Sequence, residues 1–165
     1  AALHAKGKGD MVIQNTFDEA SLPSESFDVV TMIDVIEHIA SPIQTVLKIE
    51  KIIKKWGLIF IVTPNIRSFS ARLSGSLWCH YEGSHICYYS PLSLKFLFEK
   101  TGFKTVAIEP AVKYLSLQYI AKHFSRFSPR WFHSCFSALC NMLPLRLVNK
   151  PFCWKTGMIY IAQKQ

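Results

Sequence analysis

Between Phe27 and Asn65 the chain reads FDVVTMIDVIEHIASPIQTVLKIEKIIKKWGLIFIVTPN, and this stretch restricts the fold more than any other. Its pattern is strand, helix, strand. Phe27–Ile33 is a nearly continuous apolar run behind a Pro/Ser/Glu loop, as expected of a strand buried on both faces. Ser41 is placed to cap a helix, Pro42 suits its first position, and Gln44 stands where a capping box takes its return bond. Ile43, Val46, Leu47 and Ile53 supply an apolar stripe. Lys51, Lys54 and Lys55 fall in the expected last turn, where the helix dipole favours cations, and Gly57 ends it. Leu58–Thr63 is a second apolar strand, stopped at Thr63-Pro64-Asn65. Such a βαβ unit belongs to a doubly wound α/β sheet, which binds ligands at the carboxyl ends of its strands. Ile33–His38 and Thr63–Asn65 are therefore the places to look for a site.

At 165 residues, half of them apolar, the chain can bury one real core. Trp131–Leu145 lacks acidic and basic residues but contains Pro144 and is too short to span a bilayer. No signal peptide is visible. Cys79, Cys87, Cys135, Cys140 and Cys153 form no C-x-x-C pair, and their odd count without a secretory signal suggests reduced thiols and a cytoplasmic setting. The charge is uneven. Residues 1–109 hold 11 basic and 11 acidic residues, whereas 110–165 hold 8 basic and no acidic residue.

Ala1–Gly9 reads as the end of a helix and Met11–Gln14 as a short strand. Gly7-Lys8-Gly9 precedes that strand, so it cannot be a phosphate-binding glycine turn, which must follow one. Asn15–Ser26 is a loop. Ile66–Ser90 is long, irregular and aromatic, as binding loops and lids are. Ser90-Pro91 opens a helix with Leu94, Leu97 and Phe98 on one face, Gly102 stops it, and Phe103–Ile108 is a strand closed by Glu109-Pro110. Two amphipathic helices follow, one lined by Leu117, Ile120, Phe124 and Phe127, the other by Phe132, Cys135, Phe136, Leu139 and Leu143. Met158–Ala162 is the final strand.

The string FDVV…DVIEH…SP…GLIFIVTPN resembles the central half of a class I S-adenosylmethionine-dependent methyltransferase, and within that class the ubiquinone-pathway O-methyltransferases. The resemblance implies a Rossmann-like, mostly parallel sheet whose last strand is antiparallel. The chain then reads as a single, N-terminally truncated domain over 1–165, with a basic helical insertion or cap over 111–156. The implied cofactor is S-adenosylmethionine, beside Thr16, Phe17, Ile33 and Asp34. The implied reaction is methyl transfer to an oxygen of a small or lipid-like acceptor.

Asp34, Glu37 and His38 have the spacing of one side of a helical turn, and they are similar to the acidic-x-x-Glu-His signature that implies Mg²⁺ in that branch. The same residues can instead brace the loop by hydrogen bonds. His85 lies in EGSHICYYSP, which is similar to the histidine-bearing loop of those enzymes. It is the leading candidate for a general base, with His38 beside it. The competing expectation is a non-catalytic remnant that binds a membrane or a partner. The basic tail suits an anionic membrane surface or a substrate cap. Nucleic acid is disfavoured, because broad Leu/Phe faces do not track phosphates.

Overall fold

The computed structural model describes residues 12–78, 80–118 and 130–165. Strand β1 (Phe27–Ile33) leads through a 3₁₀ turn (Ile36–His38) to helix α1 (Pro42–Ile52) and strand β2 (Ile53–Pro64). Helix α2 (Phe69–Ser74), a 3₁₀ turn (Gly75–Leu77) and helix α3 (Pro91–Glu99) precede strand β3 (Phe103–Ser116). Helices α4 (Arg130–Met142) and α5 (Leu145–Val148) lie before strand β4 (Pro151–Lys164). The strands form one sheet in the order β1-β2-β4-β3. β1 and β2 pair in parallel, from Val29↔Leu58 to Ile33↔Val62. β4 is antiparallel to both of its neighbours, so it alone opposes the sheet direction. The expected Rossmann-like architecture, mostly parallel with a reversed last strand, is what the chain adopts.

The core joins Ile59 and Ile61 of β2, Met158 and Tyr160 of β4, Val46 and Ile49 of α1, and Leu94 and Phe98 of α3. Ser90 caps α3 with a full capping box: its hydroxyl accepts from the Ser93 amide, while Ser93 Oγ accepts from the Ser90 amide.

Several expectations are corrected. α1 stops at Ile52, so Lys54 and Lys55 belong to β2 and Gly57 does not end the helix. Between Phe27↔Ile53 and Val29↔Leu58 the register slips, and the extra residues of β2 bulge outward through Trp56 at φ 66°. Gly57 is needed there because a β-carbon would come within 2.9 Å of the Lys54 carbonyl and 3.0 Å of that of Asp28. Ser41 precedes α1 without a side-chain cap bond, and the buried face is Thr45, Val46, Ile49 and Ile52, leaving Ile43 and Leu47 exposed. β1 is not buried on both faces: Met32 is covered, whereas Val29 and Ile33 are 52% and 58% exposed. β1 is an edge strand among the described residues, so nothing there covers its outer side.

Glu109-Pro110 does not close β3, which continues to Ser116 with Pro110 opposite Met158. An edge strand tolerates a residue without an N–H. The β3–β4 pairing runs well into the expected 111–156 insertion, taking in 111–116 and 151–156; between them the described residues hold α4 and α5. Val12–Gln14 form no strand. The Ala1–Gly9 helix end and Met11 lie outside the described residues, as does most of the first amphipathic helix, over 119–129.

Candidate active site

The carboxyl ends of β1 and β2 are adjacent because these strands pair in parallel, and the Asp34 amide extends the pairing to the Val62 carbonyl at 2.9 Å. Asp34 sits at φ 51°, a left-handed conformation that Asp tolerates better than most residues. This turns the chain sharply, and the 3₁₀ turn begins only at Ile36. Asp34 therefore does not share a helical face with Glu37 and His38. Instead, one ligand atom each from Glu37, His38 and His85 lie within 4.8 Å of one another.

Each member of this cluster is held by named bonds. Glu37 is 2% exposed; the Thr63 hydroxyl donates to its Oε2 at 2.9 Å, and its Oε1 has no partner. The Glu37 carbonyl accepts from the amides of Ile86 (2.9 Å) and Cys87 (3.0 Å), which ties the His85 loop to the turn. His38 Nδ1 donates to the Ser84 carbonyl at 2.7 Å, and His85 Nδ1 donates to that of His80 at 2.7 Å. A carbonyl can only accept, so both rings carry a proton on Nδ1. His85 Nε2 lies 3.1 Å from Glu82 Oε1, with the His85 side chain only 5% exposed. The His38 ring is exposed and meets that of His85 edge-on, centroids 4.8 Å apart.

The floor beneath is aromatic and tight. Tyr89 bridges to Asn65, and its carbonyl accepts from the Ile66 amide at 2.9 Å. Burial, and next the Cys87 thiol, push the Tyr89 phenol well above its ordinary range, so it stays protonated. Thr16 and Phe17 sit apart from the cluster in sequence, in a loop gathered by Lys48. The Lys48 ammonium donates to the carbonyls of Phe17, Asp18 and Ala20 and lies 5.1 Å from the Phe17 ring centroid. Lys48 escaped the sequence reading. Thr63 and Glu82 fell inside stretches it singled out, Thr63–Asn65 and EGSHICYYSP, but were given no role of their own.

A family profile described as a methyltransferase domain matches residues 3–108. The chain belongs to this methyltransferase-domain family. A ubiquinone biosynthesis O-methyltransferase of Photobacterium profundum is 31% identical over 64 residues, which span 39% of this chain and 27% of that protein. Among solved structures, a SAM-dependent methyltransferase of Thermotoga maritima superposes with a TM-score of 0.61 at 20% identity, covering 99% of this chain and 69% of that one. The YcgJ protein of Bacillus subtilis gives 0.62 at 14% identity, over 99% and 75%. At such identities the likeness concerns the fold.

Membership in the methyltransferase family implies S-adenosylmethionine. Ile33 and Asp34 are exposed at the carboxyl end of β1, and Phe17 is half-buried in its clamped loop. No glycine-rich turn from a strand into a helix occurs among the described residues. Mg²⁺ fits less well. It requires an octahedron of hard oxygens, whereas the donors brought together here are two imidazoles and one carboxylate.

Proposed function

We propose that this chain serves S-adenosylmethionine-dependent methyl transfer to an oxygen of a small or lipid-like acceptor. The observation that carries the reading is the Glu37–His38–His85 cluster at the carboxyl ends of β1 and β2, in a chain of the methyltransferase-domain family. The cofactor, when bound, supplies an electrophilic methyl group on sulfur. The chain's own task is to hold the acceptor hydroxyl in line with that methyl and to remove its proton as the O–C bond forms. His38 presents its ring to solvent, whereas His85 is covered and already engaged at both nitrogens. His38 therefore meets the acceptor, and His85 stands behind it as its support. Ile33 and Asp34, with Thr16 and Phe17, are assigned to the cofactor side.

The test combines calorimetric titration of S-adenosylmethionine with transfer of a labelled methyl group to catechol-type acceptors. His38→Ala is expected to lower kcat by about 10²–10⁴-fold, the usual worth of a positioned acid or base, with little change in cofactor affinity. Absence of S-adenosylmethionine binding overturns the reading.

The acceptor side extends to the basic tail. Leu139, Met142 and Leu145 are exposed beside Arg146 and Lys150, in a region without acidic residues. This favours contact with an anionic bilayer, through which a lipid-like acceptor would arrive. No helix among the described residues is long and apolar enough to cross a membrane. Vesicles with anionic lipid should pellet the chain and neutral vesicles should not; equal pelleting refutes the electrostatic contact.

A further inference from the structure

We propose that Lys48 is a positioning residue for the cofactor: its ammonium locks the turn that carries Thr16 and Phe17 into its binding form before S-adenosylmethionine arrives. The inference rests on the methyl-transfer reading, which assigns Thr16 and Phe17 to the cofactor side, and adds to it a residue of α1 that acts only through that turn.

The turn is short and weakly tied by its own bonds. The Ala20 amide donates to the Thr16 carbonyl at 3.0 Å, the Glu19 amide to the Thr16 hydroxyl at 3.3 Å, and the Thr16 amide to Asn15 Oδ1 at 2.8 Å. A single turn fixes several backbone torsions for one such backbone bond, which is the unfavourable step of helix formation. It also leaves carbonyls at its end in need of donors. Thr16, Asp18 and Glu19 are exposed, so packing does little to hold them.

Lys48 supplies what the turn lacks. Its Nζ donates to the carbonyl of Phe17 and, at 2.8 Å each, to those of Asp18 and Ala20. An ammonium has three N–H groups, and here all three are taken up by one turn distant in sequence. The same Nζ lies 5.1 Å from the centroid of the Phe17 ring, which also packs against the core. The clamp is itself firmly based. Thr45 and Ile49, on either side of Lys48 along α1, are buried, so its stem rises from a packed helix.

The geometry demands lysine and not merely a positive charge. Three carbonyls that converge on one nitrogen match a tetrahedral ammonium, whereas a guanidinium is flat and spreads its donors over three nitrogens. A turn ordered in advance spares the ligand the task of ordering it, and that gain appears in affinity. The effect of Lys48 therefore falls on cofactor binding and not on the step at which the acceptor loses its proton.

The test compares the wild-type chain with Lys48→Met, Lys48→Arg and, as a surface control, Lys54→Met. Calorimetry gives S-adenosylmethionine affinity, labelled methyl transfer gives KM and kcat, and hydrogen exchange follows the Ala20 amide. Met is a good helix former, so α1 should persist, as the thermal midpoint will report. Lys48→Met should weaken S-adenosylmethionine binding and raise its KM by about 10-fold, the usual scale for ordering a side chain or two on binding. Its kcat should stay near wild type while the Ala20 amide exchanges faster. Lys48→Arg should not restore the affinity, and Lys54→Met should not reduce it. Wild-type affinity in Lys48→Met overturns the proposal and leaves the methyl-transfer reading standing. Full affinity in Lys48→Arg overturns it too, since charge alone would then suffice, as does a fall in kcat at unchanged KM. A wild-type chain that binds no S-adenosylmethionine sinks the methyl-transfer reading and this proposal with it.

Discussion

The two outer strands of the sheet are built differently. β3 has the marks of a finished edge: Pro110 within it, bulges at Thr105/Ala107 and Ala111/Val112, and the exposed charges Lys104 and Glu109. Natural sheets use these devices to prevent further strands from adding. β1 has a register slip and an exposed charge, Asp28, only at its start; from Val29 to Ile33 it is regular and uncharged, with Val29, Thr31 and Ile33 exposed. One edge is closed by its own sequence, while the other is suited to being covered. The core is touched by both edges, since β3 buries Phe103 and Ala111 and β1 buries Met32.

The largest expected effect tests that contrast in stability. Phe98→Ala should cost about 3–5 kcal/mol, because the ring is fully buried against Phe103 and Tyr160. Val29→Ala on the open side should stay within about 0.5 kcal/mol. Comparable losses in denaturant titrations would break the distinction. Next, Val29→Lys with Ile33→Lys should reduce self-association of the 165-residue chain in sedimentation, while paired changes at Lys104 and Glu109 should not. If the open edge is inert, both sets will sediment alike.

A smaller effect comes from Tyr160. Burial is the main cause that raises its phenol, assisted by Glu99 and opposed by the 2.8 Å bond to Thr105. The folded pKa lies above the unfolded value of about 10. Above that pH the unfolded chain loses the proton first, so stability falls as pH rises. Tyr88 and Tyr89 shift in the same direction, so Tyr160→Phe should make the alkaline loss shallower without abolishing it. At neutral pH it should cost about 0.5–1.5 kcal/mol for the lost bond. A small effect also belongs to the Lys54–Asp28 pair, at 2.8 Å but well exposed: Asp28→Asn should change stability by no more than about 1 kcal/mol and less in high salt.

The sequence alone determined the strand–helix–strand unit, the capped start of α3 at Ser90, the reversed last strand through its family resemblance, and the acid-free tail. These rest on signals carried within a few residues: apolar runs, a cap, a proline, a charge count. The partners of Glu37 and His38 were decided only by the tertiary structure. Local spacing paired them with Asp34, but the left-handed backbone at Asp34 breaks that face, and backbone bonds from Glu37 to Ile86 and Cys87 bring His85 in its place. The end of α1 and the exposure of β1 were likewise beyond local reading. Both depend on register with a neighbouring strand and on what covers a face, and those are relations between segments distant in sequence.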